Sequence, residues 1–414
     1  MSDTLAALEA AIIDAPTDRT VRLVYADALD ESGDPTSARR AEFIRNHIEL
    51  EALPADDARR TALVERCDDL FAEHWIDWWR PVCAAVGLPA PFAPKRVRRG
   101  ARHALGVPYE RATDSPGVYS ITANDHGFTA QFIAGFPELL SVSGFTHDAL
   151  NRPFANWFAA APFCRLRLGP ELTEFEWATV DGPHLSWLSE LVLDRLSLGI
   201  ATHAVRSDHL RGLTALKVLP MHPAATVMRA LVHKPTWAKL QSLTLTGVTA
   251  PDAIQALADH CTLELESLSL AMSEVPEPPA ATGFTGAIGA MLSEMLTRFF
   301  SSHPLPPGPI RWPDYWPALA ALTRAPFLRR LRTLQLTDAG PSSTVFGGLL
   351  ARLELTESPA APDPDAMFPD ALIRSLADGL NPDRLVRLEL PAARLSPAAR
   401  ADLTHRFGPR FVPA

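Results

Sequence analysis

The sequence has little cysteine and lacks the motifs that mark common active sites. Its four cysteines stand far apart and form no C-x-x-C pair, so we expect buried small side chains rather than a zinc site or a disulfide framework. The P-loop, H-E-x-x-H and G-x-S-x-G patterns are absent, and the 13 histidines are dispersed. These absences predict no cofactor and no metal, and they disfavour an ordinary nucleotide-dependent, zinc or serine enzyme.

Long hydrophobic runs and a positive net charge are also missing. No run of about 18 apolar residues occurs, which predicts that no segment spans a membrane. The net charge of −9 is poorly suited to coating a nucleic acid. The first segment, MSDTLAALEAAIID, carries acidic residues where an export signal would be basic. We therefore expect a folded protein of the cytoplasm.

What the sequence does contain is a recurring phrase, L-x-x-L-x-L. The clear copies begin at Leu188, Leu240, Leu265, Leu331, Leu350 and Leu385, and looser copies begin at Phe163 and Leu213. The starting numbers 163, 188, 213, 240 and 265 differ by 25, 25, 27 and 25. A nearly fixed step of this size predicts a solenoid, in which each unit buries its apolar edge against its neighbours. The second and third leucines alternate at period two, so both should point inward from one short strand.

The segments between these phrases have helical periodicity, notably 146–162, 223–235 and 251–260. Over about 135–390 the chain resembles the leucine-rich repeat family. The resemblance implies an α/β solenoid, here an irregular leucine-rich repeat horseshoe with a parallel sheet on the concave side and helices on the convex side. The asparagine expected three places after the last strand leucine is missing. Those places hold Glu171, Leu196, Met221, Val248 and Ser273.

Two insertions, 273–312 and 357–370, interrupt the predicted repeats of 135–414. The first falls within a gap of 66 residues between the phrases at Leu265 and Leu331. A strand at Ile310 and Trp312 would restore a step of 24. The amphipathic segment 290–300 is expected to pack on the convex side, although a partner or a membrane surface is an alternative. The role of this insertion stays open.

The first 86 residues predict a small all-α domain of antiparallel helices. The stretch RLVYADALDESGDPTSARRAEFIR resembles the signature of a bacterial repeat-companion domain, a helical module found at the head of degenerate leucine-rich repeat proteins. The matching positions are Arg22, Leu23, Val24, Tyr25, Ala26, Asp27, Leu29, Gly33, Asp34, Arg40, Ala41, Glu42, Phe43, Ile44 and Arg45. Ala28 departs from the pattern, because a tryptophan is expected there. The resemblance implies an architecture rather than an activity.

Charged residues within this signature allow two interpretations. The favoured one is a set of ion pairs that ties the helices together and involves Arg22, Asp27, Asp34, Glu42 and Arg45. The alternative is a catalytic carboxylate pair, Asp27 and Glu42, converging across two helices.

Residues 87–134 are expected to form a linker and a β-hairpin cap for the repeat sheet, with the hairpin turning at 124–127. The linker carries a cluster of basic side chains. These are Lys95, Arg96, Arg98, Arg99 and Arg102. Such a cluster can bind an anion or a nucleic acid. It lacks interleaved aromatic residues, which favours a solvated linker or a contact with the acidic remainder of the chain.

The leading functional hypothesis is a non-enzymatic scaffold that binds a protein or peptide on the concave repeat face. The side chains that alternate with the strand leucines should line this face. They are Arg165, Arg167, Glu190, Val192, Lys217, Ser242, Thr244, Ser267, Ser269, Thr333, Gln335, Arg352, Glu354, Arg387 and Glu389. One alternative is an enzyme or toxin-like effector with a site in the helical domain or in 273–330. Another is a nucleic-acid-associated subunit that uses 95–103.

Overall fold

The computed structural model describes most of the helical region and the core of the strand-rich region. The described residues are 2–16, 18–54, 56–87, 109–111, 119–123, 128–142, 154–169, 177, 180–194, 198–218, 225–232, 237–248, 251–272, 312–338 and 367–414. They form an all-helical N-terminal region followed by a mostly parallel sheet with helices, an α/β architecture.

The helices within the described residues are α1 Ser2–Asp14, α2 Arg19–Glu31, α3 Pro35–Ala52, α4 Arg59–Ala85, α5 Phe154–Ala160, α6 Leu198–Arg206, α7 Ala225–Val232, α8 Pro251–His260, α9 Trp312–Leu322, α10 Asp370–Gly379 and α11 Pro397–Phe407. The strands are β1 Tyr109–Arg111, β2 Tyr119–Ala123, β3 Phe128–Ile133, β4 Phe136–Val142, β5 Arg165–Leu168, β6 Glu190–Leu193, β7 Ala215–Val218, β8 Ser242–Val248, β9 Ser267–Met272, β10 Thr333–Asp338, β11 Arg387–Leu390 and β12 Phe411–Pro413. The predicted all-helical N-terminal region is therefore confirmed, and the three helices predicted between strands correspond to α5, α7 and α8 within the described residues.

The chain divides into two compact units. The first unit contains residues 1–194 and 206–214. In it β1 to β4 pair as an antiparallel meander, and β4, β5 and β6 then pair in parallel. The predicted hairpin thus corresponds to β2 and β3, and β4 begins the parallel pairing.

The helices of the first unit share their core with this meander. Phe71 of α4 stacks on Tyr119 of β2, with ring centroids 4.1 Å apart and planes 12° apart. Phe132 of β3 meets Phe71 at 5.5 Å and Trp79 at 5.7 Å, both edge to face. Aromatic pairs in these arrangements stabilise a core beyond their area burial. The tryptophan and phenylalanine side chains of α4 therefore contribute to the core.

The second unit contains residues 195–205 and 215–414. Its strands β7 to β12 pair in sequence order and all in parallel. Helices α7 to α11 follow β7 to β11 in turn along the chain. This is the strand-then-helix alternation that the leucine spacing predicts, because parallel strands require a crossover between them.

One prediction within the interrupted part of the array is wrong. β9 pairs directly with β10, Leu268 beside Leu334, so no strand at Ile310 and Trp312 lies between them. Trp312 instead begins α9, where Pro313 is tolerated because the first helical turn needs no backbone donor. β10 in turn pairs directly with β11, and the phrase at Leu350 lies outside the described residues.

Candidate interaction surface

The strand leucines of the second unit form one buried row across the sheet. Neighbours in the register, from β7 to β11, are Leu216, Leu243, Leu268, Leu334 and Leu388. All five are buried. Burial of each leucine contributes about 1.5–3 kcal/mol, so this row fixes which face of every strand turns towards the core. The residues between the leucines consequently belong to the opposite face.

On that opposite face the alternating side chains also align into rows. The first row is Ala215, Ser242, Ser267, Thr333 and Arg387, and the second is Lys217, Thr244, Ser269, Gln335 and Glu389. None of these ten residues is buried. We call them the polar sheet face. The strands bring together every predicted groove residue of the second unit that the structure describes.

The sequence prediction missed part of this surface. Ala215 belongs to the first row, and Thr246 and Thr337 extend the surface beyond the second row, on either side of Ala271, which is buried. The signal was present, because Ala215 lies within the phrase at Leu213 and the same period-two alternation continues past the phrase to Thr246 and Thr337. The phrase ends at its third leucine, whereas β8, β9 and β10 continue beyond that position.

The charged end of the polar sheet face is internally bonded. The Glu389 carboxylate accepts a hydrogen bond from Gln335 Nε2 at 2.9 Å and forms an ion pair with Arg387 Nη2 at 2.9 Å. Glu389 is 17% exposed whereas Arg387 is 50% exposed. The carboxylate is therefore held in place, while the guanidinium stays accessible to solvent.

The predicted residues of the first unit are engaged with each other. Arg165 Nε donates to Glu190 Oε2 at 2.8 Å across β5 and β6. Arg167 Nε pairs with Asp194 at 3.0 Å, a partner that sequence reasoning did not identify. Val192 is buried. This part of the sheet accordingly offers paired charges rather than the small hydroxyl side chains of the second unit.

Some of the predicted residues lie outside the described residues. They are Arg352 and Glu354 of the predicted groove and the basic cluster Lys95, Arg96, Arg98, Arg99 and Arg102. The segment 290–300 and most of both predicted insertions lie outside as well.

The carboxylates considered as a catalytic pair have separate arginine partners. Asp27 Oδ1 accepts from Arg45 Nη2 at 2.7 Å, and two-thirds of its side chain is exposed. Glu42 accepts from Arg66 Nε at 2.6 Å. The hydrogen bond from Arg66 holds the pKa of Glu42 below its usual value. Each carboxylate is thus engaged in an ion pair, as the structural interpretation of the signature predicts.

The thiols have the character expected of core residues. Cys67, Cys83 and Cys164 are buried, and Cys261 is partly buried. Burial raises the pKa of Cys67 to about 12 and those of Cys83, Cys164 and Cys261 to about 11. Since the thiolate is the reactive form, these side chains are poor nucleophiles at neutral pH.

Two absences concern the part of the chain that the structure describes. Within those residues, no three histidine, cysteine, aspartate or glutamate side chains are grouped so that they could hold a metal ion. None of the described helices combines the length and the apolar character needed to cross a membrane.

Comparison with known proteins adds no relative: no family model matches the chain, and neither a curated protein nor a solved structure resembles it significantly.

Proposed function

We propose that the chain is a cytoplasmic, non-enzymatic interaction scaffold, built as an irregular leucine-rich repeat horseshoe. The polar sheet face is the surface that binds a protein or an extended peptide. The observation that carries this proposal is the alignment of ten unburied side chains from five strands, opposite a row of buried leucines. Parallel strands joined by helices, at the spacing of the leucine phrase, support the repeat interpretation.

The chemistry of the polar sheet face favours a polypeptide partner. Hydroxyl and amide side chains both donate and accept hydrogen bonds, as the polar groups of a peptide require. Serine and threonine are small, so the middle of the surface leaves room for a partner backbone. Lys217, Arg387 and Glu389 are the charged members, and they stand on the first and last of these strands. A nucleic acid would instead need several unpaired cations to neutralise its phosphates.

An enzymatic role has less support. Asp27 and Glu42 are each neutralised by arginines, whereas a general acid–base pair needs carboxylates that reach a common substrate.

Affinity capture from the source lysate with quantitative mass spectrometry tests the proposal. We compare the wild-type chain with Lys217→Glu and Thr244→Arg, which reverse a charge and place a bulky cation on the surface. We expect each change to lower recovery of specific partners at least about tenfold, the factor that corresponds to roughly 1.4 kcal/mol of binding free energy.

Lys239→Glu and Thr404→Arg are the matched controls. They make the same changes at exposed positions, Lys239 after β7 and α7 and Thr404 on α11. Circular dichroism verifies that all four variants fold. Equal partner recovery by the wild type and by both surface variants would contradict the assignment of the binding site.

A further inference from the structure

The turn between β3 and β4 is buried and apolar. Ala134 and Gly135 form a two-residue hairpin loop with φ of 47° and 81°, the positive angles that a type I′ turn requires at both positions. Ala134 is 0% exposed, and Phe136 is 3% exposed. Hairpin tips normally lie in solvent and carry polar residues. A buried tip therefore implies a surface that receives it.

Phe136 completes the core of the first three helices. The buried members of that core are Ile12, Tyr25, Ala26, Leu29, Ala41, Ile44 and Phe136. Phe136 alone among them comes from outside α1, α2 and α3. The ring of Tyr25 lies 5.5 Å from that of Phe136. Without this ring, the three helices would surround a cavity.

Two arginines of the helical signature enclose the same ring. The guanidinium carbons of Arg22 and Arg40 lie 5.2 Å and 4.8 Å from the Phe136 ring centroid, within cation–π range. Both arginines also bind the turn backbone. Arg22 Nη1 donates to the Ile133 carbonyl at 3.1 Å, and Arg40 Nη2 donates to the Gly135 carbonyl at 3.4 Å.

The position of Gly135 is specific for glycine. A Cβ atom there would lie 2.5 Å from Cγ1 of Ile44 on α3, closer than van der Waals contact allows. The positive φ of Gly135 is also one that other residues rarely adopt. The helices therefore recognise both the shape and the conformation of the turn.

A buried ion pair makes the contact selective for a carboxylate. Arg22 is 0% exposed, and its Nη1 lies 2.6 Å from Glu138 Oε1. Arg19 Nη1 approaches the same oxygen at 3.3 Å. Glu138 follows Phe136 by two residues on β4, and Arg22 contacts both side chains. A buried arginine requires such a partner, because removal of one charge leaves the other uncompensated.

We propose that α1, α2 and α3 form a module that recognises a β-turn. Its ligand is a turn of four consecutive residues: an apolar residue, a small residue, glycine and an aromatic residue. A residue with a carboxylate side chain follows two positions after the aromatic one. In this chain the ligand is Ile133–Phe136 together with Glu138. Four signature positions make these contacts, namely Arg22, Tyr25, Arg40 and Ile44. The signature thus attaches the helices to β4, the strand from which the parallel pairing starts.

Hydrogen–deuterium exchange of the full-length chain tests this assignment. Phe136→Ala is expected to accelerate exchange in α1, α2 and α3 on the order of a hundredfold, the factor that matches loss of a buried aromatic ring. Amides of β8 and β9 serve as the internal reference. Phe158→Ala is the matched control, since Phe158 is a fully buried ring of the same unit that packs on Phe163 and His184. It should leave exchange in α1–α3 unchanged.

A milder pair of variants keeps the test decisive if Phe136→Ala does not fold. Glu138→Gln should accelerate exchange in α1–α3 at least about tenfold, because it leaves Arg22 buried without a counter-charge. Glu190→Gln, which removes a carboxylate paired with Arg165, should not. Unchanged exchange in α1–α3 of Glu138→Gln would overturn the proposal. Equal acceleration by Glu138→Gln and Glu190→Gln, or by Phe136→Ala and Phe158→Ala, would also overturn it.

Discussion

Individual charged side chains in the helical region mainly form ion pairs that connect the helices. Arg45 of α3 pairs with Asp27 and Asp30 of α2, at nitrogen–oxygen distances of 2.7 and 2.5 Å. Glu42 joins α3 to Arg66 of α4. Exposed pairs of this kind each stabilise a protein by about 1 kcal/mol or less. Their number, rather than the strength of any one pair, gives the helices a defined arrangement.

The Glu42–Arg66 pair makes a pH-dependent contribution to stability. The hydrogen bond from Arg66 lowers the pKa of Glu42 in the folded chain from its ordinary value of 4.5. The stabilisation is therefore present above about pH 4.5 and is lost as the pH falls through the lowered pKa of the folded state. We expect Glu42→Gln to reduce the free energy of unfolding at pH 7 by at most about 1 kcal/mol, and by less at pH 3.

Urea unfolding at the two pH values measures this difference. In an Arg66→Met background, Glu42→Gln should have little effect at either pH, because the partner is already absent. A Glu42→Gln effect that grows towards pH 3 would contradict the assigned sign.

At the scale of elements, the alternation along each strand separates packing from function. In β9, Leu268 is buried in the leucine row, and Ser269 lies on the polar sheet face. The two neighbours therefore have opposite roles, although they occupy the same strand. Local periodicity was sufficient to predict this, since period two is a property of the backbone itself.

Substitution of these neighbours tests the alternation. Leu268→Ala should lower the free energy of unfolding by about 2–5 kcal/mol, because it leaves a cavity in the core. Ser269→Ala should change it by no more than about 0.5 kcal/mol. Denaturant unfolding of both variants provides the measurement. Similar losses from the two substitutions would show that the strand faces are assigned incorrectly.

Contacts between distant elements were beyond sequence reasoning. The helical signature was recognised as a pattern, but Glu138, the buried partner of Arg22, stands 116 positions further along the chain. No periodicity connects an arginine on α2 with a glutamate on β4. The tertiary fold alone makes Phe136 and Glu138 part of the helical core.

At the scale of the whole molecule, the order of strands depends on pairing rather than on spacing. Steps of 25 and 27 separate the strands from β5 to β9, and within each unit every one of these strands pairs with the strand that follows it. The same reasoning failed at Trp312. The regular step predicted a strand there, whereas β9 pairs directly with β10. The number of residues between two strands does not determine which strands pair, because lengthening a connection adds little to the entropy cost of closing the loop.

Strands distant in sequence form one continuous polar sheet face, and disulfide formation tests this arrangement directly. Ser269 and Gln335 are register partners on β9 and β10. Adjacent strands lie about 4.8 Å apart, within the roughly 7 Å limit for the Cα atoms of a disulfide. We therefore predict that the Ser269→Cys/Gln335→Cys chain forms that disulfide under mild oxidation, as peptide mass spectrometry would detect.

Thr244→Cys/Gln335→Cys is the matched control. Thr244 belongs to the same row, but β9 separates β8 from β10. These Cα atoms should therefore be about 10 Å apart, beyond disulfide reach. We expect a rapid disulfide in the first chain and none in the control. Absence of a disulfide between positions 269 and 335, or equal formation in both chains, would contradict it.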